Sequence, residues 1–207
     1  MKYIFLHGLS QDSSSWDIII QELNIRSDDI LCPNLSDWFE NKKPSYKTLY
    51  DELENYCNEF HEPICLCGLS LGGILALQYT IEHPNQIHSL VLIGTQYSMP
   101  KILLKIQNII FHIIPNSNFN KMGFKKTDFI QLCKSMIDLN FTHNLKEINC
   151  PTLIICGEKD KANKTASIQL QKTLTNARFK IIKNAGHEVN IDKPLELAHV
   201  IKRFIDC

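Results

Sequence analysis

Arginine is almost missing from this chain: only Arg26, Arg178 and Arg203 occur. Sites that clamp phosphates or several carboxylates usually lean on the planar guanidinium fork, so a polyanionic ligand is poorly served here. An excess of either charge is missing too, since 22 basic and 22 acidic residues leave a formal net charge of zero. That removes the electrostatic reason to expect nucleic acid or an anionic membrane as partner. No run is long and apolar enough to span a bilayer. The longest candidate, "ILLKIQNIIFHII" at 102–114, is broken by Lys105, Gln107, Asn108 and His112, and a spanning helix needs about 20 apolar residues. The opening "MKYIFLHGLS" has too short an apolar run for a signal-peptide core. Eight cysteines and eight histidines form no C-x-x-C pair and no spacing typical of zinc. Cys65 and Cys67 would share one face of a strand, and Cys57, Cys133 and Cys156 also sit among apolar neighbours. Buried free thiols in a reducing compartment are expected. Internal repeats and low-complexity linkers are absent. The expectation is a soluble cytoplasmic protein with no metal and no cofactor.

What is present is an ordinary globular composition, 44% hydrophobic and 21% charged, in 207 residues, enough for one domain with a full core. Short apolar runs alternate with helical patterns. Strands are predicted at 2–7, 29–35, 63–68, 87–95, 151–157 and 178–184. Helices are predicted at 13–23, 45–60, 71–83 and 194–205. In 45–60, Tyr46, Leu49, Tyr50, Leu53, Tyr56, Cys57 and Phe60 recur at steps of three and four and make one face. This alternation implies right-handed crossovers: an α/β fold with a mostly parallel, doubly wound sheet of about six strands, covered by helices on both faces. Residues 96–150 break the pattern. Two helical stretches lie there, the second starting near Asp128 with Gln131 placed for a capping box. An insertion of this length between two strands often carries function. The division is therefore a core of 1–95 and 151–207 with an inserted helical segment at 96–150.

The most informative stretch is "CGLSLGG" at 67–73. Ser70 lies in Gly68-x-Ser70-x-Gly72, after a predicted strand and before a predicted helix. A serine here would serve as an ordinary helix N-cap. Capping does not explain a glycine on either side, nor Gly73. A nucleophile on a tight strand-to-helix elbow explains them, because the glycines let neighbouring backbone approach. The helix then aims its N-terminus at the site, and the Leu71 amide can face a developing oxyanion.

Serine alone is a poor nucleophile and needs a base and an orienting acid. In a doubly wound sheet these belong in loops at the carboxyl ends of later strands. "GEKD" after the fifth strand supplies Asp160, with Glu158 as a rival two residues earlier. "NAGHE" after the last supplies His187. The order Ser70, Asp160, His187 is the one this architecture requires. At the end of the first strand, "HGLSQDSSSW" puts His7 and Gly8 before Leu9, whose amide can point into the same pocket as that of Leu71. His7 is expected to order that loop rather than to act as base.

Together, "HGLSQDSSSW", "GLSLGG", "GEKD" and "GHEVNIDKPLEL" resemble the α/β-hydrolase fold superfamily, in its small lidded esterase and lipase branch. The resemblance spans nearly the whole chain. It implies Ser70, Asp160 and His187 as catalytic residues, the Leu9 and Leu71 amides as oxyanion hole, and 96–150 as a cap domain. It also implies a small-molecule ester or thioester substrate, and a monomer or homodimer. Two departures stand out. The chain opens on what resembles the family's third strand, so the leading hairpin is expected to be missing, and the cap is short. Two other activities fit the scaffold: a lyase or C–C hydrolase like the menaquinone-pathway synthase, and a non-catalytic binding module. The scarcity of arginine speaks against the first, and the complete Ser-Asp-His set against the second.

Overall fold

The strands bury alternate residues into two different cores, and this two-sidedness organises the molecule. In the computed structural model, which describes residues 1–99 and 126–206, the strands are β1 (Lys2–Leu6), β2 (Ile30–Leu31), β3 (Ile64–Leu69), β4 (Ile87–Ile93), β5 (Thr152–Gly157) and β6 (Ala177–Ile182). They form one sheet in the order β2-β1-β3-β4-β5-β6, every pairing parallel. The helices are α1 (Asp17–Leu23), α2 (Tyr46–Cys57), α3 (Leu71–Glu82), α4 (Lys126–Ser135), α5 (Lys161–Thr173), α6 (Val189–Asp192) and α7 (Pro194–Ile205). Ile4, Leu66, Leu92 and Ile154 pack into one core with Leu49 and Leu53 of α2, Leu75 of α3 and Leu170 of α5. Their neighbours Phe5, Cys67, Val91 and Ile155 pack into the other, with Ile19 and Leu23 of α1 and Leu197 and Ile201 of α7. Strands buried on both faces read as continuous apolar runs, which is how "KYIFL" and "ICLCGL" look in the sequence. All the described cysteines are free thiols, as expected, and most are buried. Among the described residues no helix is long and apolar enough to cross a membrane.

Three expectations need correction. The strand expected at 29–35 is only two residues long, because beyond Pro33 the backbone turns away and the Leu35 N–H donates to His7 Nε2 at 2.9 Å instead of to a strand. Helix α5 was not expected. Asp160 caps its start by accepting from the Asn163 N–H, but it buries only Asn163, Ala166, Ser167 and Leu170, so its apolar stripe is thin. Helix α4 is already helical at Lys126, so Asp128 and Gln131 lie inside it and form no capping box. The first of the two helical stretches expected within 96–150 cannot be placed, because residues 100–125 lie outside the described residues.

The insertion leaves and rejoins the core through a narrow neck. Ser98 and Asn140 form an antiparallel bridge. The Met99 N–H donates to Leu139 O at 3.0 Å, and the Phe141 N–H to Tyr97 O at 2.8 Å. Beyond the neck, α4 lies against α2, where the Tyr46 N–H donates to Ser135 Oγ at 2.8 Å. Its Phe129 and Cys133 pack on Leu9 and Phe39.

Strand order reverses between β1 and β3. In an open parallel sheet the crevice outside the carboxyl ends of the strands at such a switch point is the usual place for a ligand. Here that point falls between the loop after β1, which holds Leu9, and the elbow after β3, which holds Ser70.

Candidate active site

Ser70 ends β3 and begins α3, with φ 52° and ψ −111°. A non-glycine residue at positive φ is uncommon, and this one is outside the ordinary left-handed well. Its side chain makes no cap hydrogen bond. An N-cap serine would sit on extended backbone and accept from the first turn; Ser70 does neither. Close packing enforces the elbow: a Cβ on Gly72 would lie 2.2 Å from Leu6 O, and one on Gly68 2.3 Å from the backbone of Gly72. The Ser70 N–H donates to Ile93 O at 2.9 Å, and the Gly94 N–H to Ile155 O at 2.9 Å. The carboxyl ends of β3, β4 and β5 are thereby laced together.

His187 and Asp160 meet at that edge. His187 Nδ1 lies 2.8 Å from Asp160 Oδ2. The Asp160 side chain is 4% exposed and the His187 side chain 39%, so the ring is anchored on its acid side and open on the other. Gly94, at φ 55°, makes room for the ring, because a Cβ there would come within 3.0 Å of its Nδ1 and Cε1. Burial pushes the Asp160 carboxyl up, but hydrogen bonds from His187 and Asn163 outweigh it and hold the group below the ordinary carboxylate value. Glu158 faces elsewhere: its Oε2 accepts from the Asn184 N–H at 2.9 Å. The acid and histidine loops are joined directly by the Lys159 N–H to Ala185 O bond at 2.9 Å. Ser70 Oγ and His187 Nε2 carry no hydrogen bond among the described residues. Ser70 ends the strand beside β4, and Gly94, directly after β4, packs against the histidine ring.

The loop after β1 is fixed from two sides. His7 is buried, and its Nδ1–H donates to Gly8 O at 2.8 Å while Nε2 accepts from Leu35. Those partners fix one neutral tautomer, and burial lowers the group's affinity for a proton. Gln11 accepts from the Gly8 N–H at 3.2 Å and forms a reciprocal amide pair with Asn190, at 3.2 and 3.1 Å. The loop carrying Leu9 is thus tied to the segment following His187. Leu71 is the first residue of α3, and amides in a helix's first turn lack intrahelical partners.

Sequence patterns missed Gln11, Asn190, Gln96 and Asn163. Asn163 is buried and its Nδ2 lies 2.9 Å from both Asp160 oxygens. Its only sequence signal is an amide one turn beyond the acid.

The chain matches the alpha/beta hydrolase family over residues 3–200. It is 21% identical over 258 residues to a monoacylglycerol lipase of Homo sapiens, covering 98% of this chain and 74% of that protein. A putative 2-succinyl-6-hydroxy-2,4-cyclohexadiene-1-carboxylate synthase of Bacillus subtilis is also 21% identical, over 98% of this chain and 89% of its own. Among solved structures, a thermophilic esterase from Thermogutta terrifontis superposes with a TM-score of 0.81 at 18% identity, over 100% of this chain and 89% of the other. With a match running almost from end to end, the chain belongs to the alpha/beta hydrolase family.

Proposed function

We propose that this protein hydrolyses carboxylic esters or thioesters with small to medium apolar groups through Ser70, His187 and Asp160. The observation that carries this reading is the elbow itself. Ser70 is held at φ 52° without the cap bond that would justify it structurally, and its N–H bonds Ile93, the residue before the glycine on which the ring of His187 packs, a ring anchored on a buried carboxylate. Backbone strain of this kind persists only where the surroundings enforce it, and it gathers at reacting groups.

Ser70 Oγ attacks the acyl carbon while His187 Nε2 takes its proton. The Leu9 and Leu71 amides receive the negative charge that forms on the carbonyl oxygen. The alcohol or thiol leaves with the proton from His187, giving an acyl-enzyme. Water then attacks the acyl carbon, loses a proton to His187, and the acid departs as Ser70 recovers its proton. Asp160 holds the ring and stabilises the imidazolium without taking the proton. We assign 96–150 as a cap. Phe129 and Cys133 of α4 rest on Leu9, which supports an apolar wall beside the proposed oxyanion amides. The buried thiols suit a reducing compartment such as the cytoplasm.

The Bacillus subtilis relative favours a second reading, a lyase on the same scaffold. The arginines weigh against it. Arg178 lines a cavity with Met1, Ser89, Phe204 and Ile205, at the amino ends of the strands. Arg203 neighbours Phe204, and Arg26 precedes β2. All three stand at the opposite edge of the sheet from Ser70, where they cannot meet a polyanion at that serine. A series of p-nitrophenyl esters of increasing acyl length tests the esterase reading. Turnover that disappears in Ser70→Ala, with fluorophosphonate labelling at Ser70, is the expected result. No turnover of any ester, together with release of pyruvate from an enolpyruvyl-bearing cyclohexene acid to give the succinyl-hydroxy-cyclohexadiene carboxylate, would move the protein to the lyase class.

A further inference from the structure

The side-chain amide of Gln96 lies against two acceptors. Its Nε2 is 3.1 Å from Ala162 O and 2.9 Å from Asn163 Oδ1. A backbone carbonyl can only accept, so Ala162 O fixes which end of the Gln96 amide carries the hydrogens. The Asn163 atom facing that NH2 must then be its oxygen. The Asn163 NH2 is left pointing at Asp160, 2.9 Å from each carboxylate oxygen. The polarity of the row is therefore set from its far end: Ala162 carbonyl, Gln96 amide, Asn163 amide, Asp160 carboxylate, His187 Nδ1–H. The Asn163 backbone N–H adds a bond to Asp160 Oδ1 at 3.3 Å. Oδ1 is thereby occupied from within α5, while Oδ2 faces the histidine.

We infer that Asn163, oriented by Gln96, is a positioning residue for the acid of the site, and that it couples that acid to the root of the insertion. The inference rests on the proposed roles of Asp160 and His187. Asn163 Nδ2 also lies 3.1 Å from His187 Nδ1, but with the Nδ1–H given to Asp160 both atoms are donors, so Asn163 acts on the ring through the carboxylate. It fixes the rotation of the Asp160 carboxyl and helps keep it ionised, so that the ring of His187 is held in one tautomer. Gln96 supplies the second half. It is the first residue of the inserted segment, and the next residue, Tyr97, hydrogen-bonds through its hydroxyl to Gln169 of α5. A shift of the neck would pull Gln96 from Asn163 and leave the Asn163 carbonyl oxygen without its donor, so that the Asp160 carboxylate alone would hold the amide. Cap position and acid orientation are joined by one amide.

The test compares four variants. Asn163→Leu keeps the volume and removes the donor. Losing one hydrogen bond to a charged group corresponds to about 10–100-fold in rate, and the loss is expected in kcat with KM little changed. Asn163→Asp sets a second carboxylate beside the pair and moves the acid limb of kcat/KM to higher pH, because a charged imidazole is then favoured. Gln96→Leu acts at one remove and costs about 3–10-fold. Gln96→Glu presents only acceptors to Ala162 O and Asn163 Oδ1, sets acceptors face to face, strains the Asn163 amide, and is expected to cost more than Gln96→Leu. A readout independent of turnover is the downfield proton resonance of the His187 Nδ1–H bonded to Asp160, assigned by its loss in Asp160→Ala. It moves upfield in Asn163→Leu and in Gln96→Glu. If wild type turns over no ester, the esterase reading fails while the resonance still reports the positioning. An unmoved resonance with wild-type kcat and pH profile in Asn163→Leu overturns the inference. If that variant does not fold, the half-exposed Gln96→Glu applies the same criterion.

Discussion

Two loops at the carboxyl edge of the sheet each hold a histidine, and the two are used in opposite ways. His7, after β1, has 1% of its surface exposed and both ring nitrogens engaged, one on Gly8 O and one on the Leu35 N–H. His187, after β6, has one nitrogen engaged by Asp160, a side chain 39% exposed, and no partner on the other nitrogen among the described residues. A histidine with both nitrogens spent is a strut: it fixes two loops and has no place for another proton. A histidine held by one nitrogen has its orientation settled and its basicity available. Residue type and position along a strand do not separate the two roles; the number of nitrogens already committed does.

The sharpest way to break this contrast is to remove what each histidine serves. Ser70→Ala and His187→Ala are each expected to lower kcat on the order of 10⁶-fold, as for the nucleophile and base of a comparable triad, read from steady-state kinetics on the preferred ester. Asp160→Asn keeps the shape but can present the wrong partner to the ring, and is expected to cost on the order of 10⁴ in kcat. Glu158→Gln, two residues away and bonded to Asn184, should cost little. The reverse ranking in folded variants would reassign the acid.

His7→Leu belongs to the other side of the contrast. It strands the buried Leu35 N–H, and should lower stability by about 1–3 kcal/mol, read from denaturant midpoints at neutral pH. A smaller effect with a large kcat loss would make His7 part of the chemistry. The pH dependence sharpens this. Burial places the folded proton affinity of His7 below its ordinary 6.5, so as pH falls through that value the unfolded chain takes up a proton that the folded chain refuses. Its stabilisation is complete above pH 6.5 and is lost below, and the gap between wild type and His7→Leu narrows on acidification. Asp160, also lowered, acts in the same direction in a more acid window, losing its contribution as pH falls below the ordinary carboxylate range. A gap that widens between pH 7.5 and 5.5 would contradict a buried neutral His7.

The proposed site residues were legible because they carry local signatures. Ser70 sits between glycines at an apolar-to-helical join, and Asp160 and His187 follow apolar runs in the expected order. What was not legible depends on partners remote in sequence. Asn190 and Gln11 are 179 positions apart, and nothing in either neighbourhood marks the pair. Asn163 reads as one more polar residue at the start of α5, a helix whose apolar stripe is nearly confined to Ala166 and Leu170. The strand at 29–35 was overextended because local β pattern could not foresee that Leu35 would spend its N–H on a histidine 28 residues earlier.

The neck at Ser98 and Asn140 has a consequence for how such a chain can change over generations. Its two arms are paired like adjacent strands, which in a ladder lie about 4.8 Å apart, so everything between them starts and finishes at nearly one point. Closing a longer or shorter segment across that gap alters the entropy only with the logarithm of its length. The neck works as a socket. Insert a different segment, and the sheet and the strand ends that carry Ser70, Asp160 and His187 need not adjust, so on the proposed reading the cover of the site can be exchanged as a cassette while the proposed reacting groups are inherited intact.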